Sequence, residues 1–374
     1  MTRIFFSAGE SSGDIHGANL IRALREEDPA LICEGLGGHR MAEAGMELRH
    51  DLAERGIMGF VEIIRAFPYV RRVFNETVAY LRQTPPDLVV VIDYPGFNLR
   101  LAKRCKALGI PVVYYISPQV WAWKKKRIYT IAENVEKMLV ILPFEKEIYD
   151  EIGLDCTYVG HPLLDHIQTI DATDTFKTGR QPVIGLLPGS REQEIERIMP
   201  TLIAVARGIQ EAHPDARFIV PCVDTRREDQ IKSITGDFPL ETAVGLTYDV
   251  LRAARFCLVA SGTATVETTL FRVPMIVIYK VAPVTYWLAK KLVNVEAIAM
   301  VNILAGKKIV PEFVQDAADL ETILPLALTL IEDSSERKTM LDGLDNVRRI
   351  LGDQGASKTA AREVIEVARR RANV

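Results

Sequence analysis

Short apolar runs and longer helical periodicities alternate along the whole chain. Residues 4–8, 88–92, 112–116, 138–142, 156–159, 183–187, 217–221, 256–260 and 275–279 are runs rich in Val, Ile, Leu and Phe. Continuous apolar runs of this length, bounded by turn residues, read as parallel strands covered on both faces. Between them, residues 18–27, 192–210, 248–254 and 357–371 carry apolar positions at helical spacing. Strand–helix alternation of this kind predicts an α/β fold. No period of 20–50 residues recurs, which excludes a repeat architecture. Residues 168–182 are polar with little periodicity and read as a linker. The expectation is two Rossmann-like parallel-sheet domains facing each other across a cleft, residues 1–167 and 168–356.

One segment departs from that pattern. Within residues 57–82, Ile63, Phe67, Val70, Phe74, Val78 and Leu81 repeat at spacings of three and four, with Pro68 expected to break or restart the helix. Residues 61–82 hold four arginines and two glutamates. An apolar face flanked by arginines suits a helix lying on a membrane surface, and equally a helix facing a core.

The turns after the strands hold the candidate chemistry. Ser261-Gly262-Thr263-Ala264-Thr265-Val266-Glu267 joins a strand to a helix start. The first N–H groups of a helix lack internal partners and favour an anion, and glycine allows a phosphate to approach closely. Glu267, about one turn in, is placed to accept hydrogen bonds from ribose hydroxyls; the plain alternative is an ordinary capped turn. Pro188-Gly189-Ser190-Arg191 is a similar turn. The first strand ends in Gly9-Glu10-Ser11-Ser12-Gly13-Asp14, where Glu10 and Asp14 are either ligand contacts or helix caps. Asp93 ends the most apolar strand, the position where α/β folds hold catalytic groups; capping the helix near Asn98 is its other reading. Trp121 and Trp123 adjoin four cations, Lys124 to Arg127, suited to a sugar, an anionic surface or a solvated helix start. His161 and His166 lack the companions of a metal cluster. Neither G-x-G-x-x-G nor a Walker A pattern occurs.

Bulk properties narrow the class. The 374 residues suffice for two domains, and 48% hydrophobic with 25% charged residues is ordinary for a soluble globular chain. A net charge of −3 gives no footprint for nucleic acid. Five cysteines without a C-x-x-C pair suggest reduced thiols in the cytoplasm. The N-terminus lacks a signal-peptide core, and no run of 18 uncharged apolar residues exists, so lipid contact is expected to be peripheral.

Six motifs together resemble lipid-A-disaccharide synthase: Ala8–Asp14, Met58-Gly59-Phe60-Val61-Glu62, Ser117–Trp123, Leu142-Pro143-Phe144-Glu145, Leu187–Arg191 and Ala260–Ala264. The resemblance runs in order from about residue 4 to about residue 310. It implies a GT-B fold whose last helix, 357–374, returns to the N-terminal domain. It also implies an inverting transfer from UDP-2,3-diacylglucosamine to 2,3-diacylglucosamine 1-phosphate (lipid X), yielding a β-1,6-linked disaccharide 1-phosphate and UDP on the inner face of the bacterial inner membrane. Residue by residue, it implies Asp93 as the base and Ser190, Arg191, Ser261, Gly262, Thr263, Glu267 and Asn302 at the donor. Glu10 and Ser12 fall on the acceptor-side loop. With both substrates acylated, the resemblance turns the face of Ile63, Phe67, Val70 and Phe74 towards the membrane. Gly160-His161-Pro162 departs from relatives with Thr after His.

Such a transfer needs a base for the acceptor hydroxyl and charge relief for the departing diphosphate. The sequence contains no D-x-D. Backbone N–H groups and Arg191, rather than a metal or another cofactor, are expected to supply that relief. Two other classes fit part of the pattern: a non-hydrolysing sugar-nucleotide epimerase, which would consume UDP-sugar without acceptor, and a nucleotide-binding protein without turnover.

Overall fold

In the computed structural model, residues 2–53, 60–121, 126–168, 173–177, 179, 181–283, 286–287 and 297–372 are described. They form two compact units. The first comprises Met1–His166 and Leu351–Val374, the second Ile167–Ile350.

The first unit is built on a seven-stranded parallel sheet. Its strands are β1 (Arg3–Ala8), β2 (Ile32–Gly37), β3 (Glu47–Asp51), β4 (Leu88–Ile92), β5 (Val112–Tyr115), β6 (Lys137–Val140) and β7 (Cys156–Tyr158), in the order β3-β2-β1-β4-β5-β6-β7. Ile92 of β4 pairs with Ala8 of β1 and Tyr115 of β5, so β4 lies mid-sheet with every residue buried. Alternate side chains feed two cores. Phe6, Val90 and Tyr115 join the helix Ser11–Glu27 and the final helix Ala356–Ala372 on one face. Phe5, Val89 and Tyr114 join helices Phe60–Gln83 and Pro95–Ala107 on the other. This two-sided cover is why β4 is apolar throughout.

The final helix is tied down by specific bonds. The Asp165 carboxylate accepts from Gly355 N at 2.7 Å and Ser357 N at 2.8 Å, capping the helix start. Buried Lys137 on β6 pairs with Glu363 at 2.6 Å.

The second unit repeats the layout with six parallel strands: β8 (Val183–Leu187), β9 (Arg217–Cys222), β10 (Glu241–Val244), β11 (Ala254–Ala260), β12 (Met275–Tyr279) and β13 (Glu312–Val314). Their order is β10-β9-β8-β11-β12-β13.

Two expectations about the unusual segment change. Phe60–Gln83 is one helix that runs through Pro68. An interior proline costs about 3 kcal/mol. Buried Val73 and Leu81 after it offset that cost. The apolar face also divides. Phe67 is 50% exposed. Val70 and Phe74 pack against the core instead, Phe74 edge-on to Phe97 with ring centroids 5.3 Å apart. The side chain of Ile63 lies outside the described residues, as do Met58 and Gly59 of the neighbouring motif. Among the described residues no helix is long and apolar enough to cross a membrane.

Candidate active site

Both sheets have a topological switch point, and the candidate residues cluster at these two positions. From β1 the chain steps outward to β2 and β3, then returns to the other side of β1 as β4. In the second sheet, β8 lies between β9 and β11 in the same way. Loops leaving the carboxyl ends of strands diverge at such points and leave a crevice for ligand. Glu10 follows β1 and Asp93 follows β4. Ser190 and Arg191 follow β8, and Ser261–Glu267 follows β11.

At the first switch point the backbone is strained. Asp93 and Tyr94 both adopt positive φ, 44° and 49°, and Ile116 at the end of β5 has φ 67°. Non-glycine residues persist in that region only where their surroundings over-determine them. Here they do. The Asp93 carbonyl accepts from Asn98 Nδ2 at 2.7 Å and from the Tyr114 hydroxyl at 2.8 Å. Asn98, fully buried, also donates to the Ile92 and Ser7 carbonyls and accepts from Ser7 Oγ at 2.7 Å. The Tyr94 ring stacks on Phe97 and covers Gly9 so closely that any Cβ there would meet it. The Gly9-Glu10 step therefore requires glycine for close approach rather than for a left-handed φ.

Electrostatics follow from this packing. Burial, and secondarily the neighbouring Glu10 carboxylate, push the Asp93 carboxyl up to about 7, although a backbone hydrogen bond at Tyr94 opposes the rise. A carboxylate with such a pKa can take a proton at neutral pH and also give it up. Ser12 is exposed in the first turn of helix Ser11–Glu27. Asp14 caps elsewhere: its carboxylate accepts from the N–H groups of Gly38, Arg40 and Met41, at the start of the short helix His39–Glu43.

The Ser117–Trp123 and Leu142–Glu145 motifs meet through a hydrogen bond. Trp121 Nε1 donates to Glu145 Oε1 at 3.2 Å, and its ring sits edge-on to Phe144. Glu145 is 1% exposed, and burial pushes its carboxyl up to about 8. Trp121 thus anchors its loop, whereas Trp123, Lys124 and Lys125 lie outside the described residues.

In the second unit, Arg191 is the N-cap of the 21-residue helix Glu192–Ala212. Its guanidinium is about half exposed and pairs with Glu194 at 2.6 Å. Gly189 has φ 99°, and a Cβ there would run into the Glu194 carboxylate. Ser190 is exposed beside it. After β11, Gly262 and Thr263 are exposed at the start of helix Thr263–Leu270, and nothing lies within 4 Å of where a Gly262 Cβ would stand. Ser261 is half-buried, its N–H bonded to the Ile278 carbonyl. Glu267 accepts from the Tyr248 hydroxyl at 2.9 Å.

The model of the lipid-A-disaccharide synthetase family matches residues 4–365. The synthase of Trichlorobacter lovleyi is 39% identical over 373 residues, covering 98% of this chain and 97% of that one. The synthase of Syntrophus aciditrophicus is 40% identical, covering 96% of each.

The chain belongs to the lipid-A-disaccharide synthase family.

Its members are glycosyltransferases of lipid A biosynthesis. Solved structures extend the likeness in fold alone. The S. aureus MnaA–UDP structure superposes with a TM-score of 0.66 at 14% identity, covering 96% of this chain and 94% of that one. The calicheamicin glycosyltransferase CalG4 gives 0.62 at 14%, covering 99% of each. The fold is GT-B, two Rossmann-like parallel-sheet α/β domains.

One donor-side expectation inherited from family likeness fails on geometry. Asn302 is 1% exposed and its amide is fully engaged. Nδ2 donates to the Val310 carbonyl and Glu312 Oε1, and Oδ1 accepts from the N–H groups of Ile309 and Val310. With two donors and two lone pairs used, nothing is left for a ligand. Asn302 staples the segment leading into β13. Conversely, Tyr248, Asn98 and the Trp121–Glu145 pair carry site geometry that strand and turn patterns do not reveal. For Trp121 and Glu145 the signal lay in the motifs Ser117–Trp123 and Leu142–Glu145; Tyr248 and Asn98 fall in no motif.

Proposed function

We propose that this chain transfers the sugar of UDP-2,3-diacylglucosamine to the 6-hydroxyl of 2,3-diacylglucosamine 1-phosphate, releasing UDP at a membrane surface. The carrying observation is the pairing of functions at the switch points: a carboxyl poised near neutrality in one unit, and two helix starts with an arginine in the other. In this reading the acceptor hydroxyl oxygen attacks the anomeric carbon, and the bond from that carbon to the diphosphate oxygen breaks. The hydroxyl proton passes to Asp93, with Glu10 and Ser12 on the acceptor side. The diphosphate takes its charge relief from Arg191, Ser190 and the N–H groups of the 261–263 turn. Glu267 holds the ribose.

Mass spectrometry of lipid products from the purified protein with both substrates tests the reading. A disaccharide 1-phosphate with equimolar UDP is expected. Conversion of the UDP-sugar without acceptor would mean epimerisation instead, and substrate binding without any product would mean no enzyme. Turnover should persist in EDTA, because the groups assigned to the diphosphate are protein cations and backbone donors; loss in chelator with rescue by Mg²⁺ would reject that assignment.

For the membrane surface the reading leans on Phe67. Phe67→Ser should weaken sedimentation with anionic phospholipid vesicles while leaving the melting temperature unchanged, because that ring is half exposed. Phe74→Ser should instead destabilise the fold by about 2–4 kcal/mol, since it empties a ring from the core. Equal stability losses in the two variants would remove Phe67 from the membrane face.

A further inference from the structure

Tyr248 is the second residue of the short helix Thr247–Ala253 and is 7% exposed. Its ring stacks on Phe271, with centroids 5.5 Å apart and planes 15° from parallel. Phe271 is itself bonded through its backbone N–H to the Glu267 carbonyl at 3.1 Å. The Tyr248 hydroxyl is fixed by that stack and donates to Glu267 Oε1 at 2.9 Å. Among the described residues no other side chain hydrogen-bonds this carboxylate. Burial pushes the Glu267 carboxyl up, and the Tyr248 bond draws it back.

We propose that Tyr248 is a positioning residue, which holds the Glu267 carboxylate in the orientation that receives the vicinal hydroxyls of a uridine nucleotide's ribose. The inference rests on reading the second unit as the UDP-binding one. The physical case is one of preorganisation. A glutamate side chain has several rotatable bonds, and immobilising it on binding is unfavourable in entropy. A phenol that already occupies one of its lone-pair sites selects the rotamer before the ligand arrives and leaves acceptor capacity for a diol. The same bond favours the ionised carboxylate, which is the better acceptor. A site built to bind hydroxyls discriminates strongly against a ligand that lacks them.

The test is calorimetric binding of UDP and of 2′,3′-dideoxy-UDP to the wild-type chain, Tyr248→Phe and Glu267→Gln. Phe keeps the stack on Phe271 and the buried volume, so folding is retained and checked by melting temperature. Tyr248→Phe should bind UDP about tenfold more weakly. Its affinity for the dideoxy nucleotide should match wild type, because neither hydroxyl is there to meet Glu267. Glu267→Gln should likewise narrow the preference for UDP. Equal weakening towards both nucleotides in Tyr248→Phe would show a structural role and overturn the proposal. Wild-type UDP affinity in that variant, alongside a narrowed preference in Glu267→Gln, would overturn Tyr248's part alone. An unchanged preference in Glu267→Gln would overturn the ribose assignment, and Tyr248's part with it.

Discussion

Replacing Asp93 by Asn should lower kcat by about 10²–10⁴, the usual contribution of a positioned general base. The amide keeps the size of the side chain and some of its hydrogen bonding but has no basic lone pair. UDP affinity should be unchanged, because Asp93 belongs to the first unit and the nucleotide is assigned to the second. Wild-type kcat/KM should rise with pH through about 7 as the carboxyl loses its proton, and that acid limb should disappear in the variant. Stability gives an independent reading. The folded carboxyl titrates near 7, above the unfolded value of about 4. Its contribution to stability is therefore intact below about pH 4 and is lost as pH rises through 7. Asn escapes that loss, so the variant should match wild type at pH 4 and exceed it by roughly 1–3 kcal/mol at pH 8. Urea unfolding at the two pH values, beside steady-state transfer and calorimetric UDP binding, measures all of this. Near-normal transfer would remove Asp93 from the chemistry; loss of UDP binding together with activity would assign it a structural part.

Legibility from sequence follows burial. Strands β4, β8 and β12 are recognisable to the residue because both faces are covered, which forces near-continuous apolar runs. The outlying strands β3, β10 and β13, and β2 beside one of them, carry no such signal. β2 even contains a buried Glu34, tolerated because Tyr80 donates to it at 2.6 Å and Arg49 approaches at 3.5 Å. Asp93 was legible because a central strand delivers it to a sheet's carboxyl end. The bonds that hold its turn in a left-handed conformation were not, since Asn98 and Tyr114 reach the Asp93 carbonyl from other elements. Asn302 misled for the opposite reason. The family resemblance assigns it to the donor, but Ile309, Val310 and Glu312 saturate its amide. Val70 and Phe74 share the helical period of Phe67, and periodicity alone does not distinguish a face resting on protein from one resting on lipid.

Arg191→Ala should reduce transfer by about 10²–10³ with little change in folding. Both halves of that expectation come from the geometry at the end of β8. The guanidinium is about half exposed and paired with Glu194, three residues on. Exposed ion pairs of this kind contribute about 0–1 kcal/mol, so deleting the arginine should hardly move the melting temperature. Ligand would change its partner. A diphosphate at this helix start would meet the unpaired N–H groups of the first turn and draw the guanidinium from Glu194, gaining a bidentate, charge-assisted contact. Charge on the leaving oxygen grows as the sugar departs, so the contact strengthens towards the transition state and the loss should appear chiefly in kcat. Arg191→Lys keeps a positive charge but not the planar fork, and should fall between the two. Glu194→Ala separates the competing parts of the pair: it frees the guanidinium but leaves the Arg191 backbone N–H without its acceptor at 3.4 Å. Its UDP affinity should therefore rise or hold while stability declines by about 1 kcal/mol, the usual worth of a cap. Initial rates at saturating donor, UDP dissociation constants and thermal melts on the three variants provide the measurement. Wild-type turnover in Arg191→Ala would make the residue an ordinary surface cation, and a large drop in melting temperature would make the Glu194 pair structural.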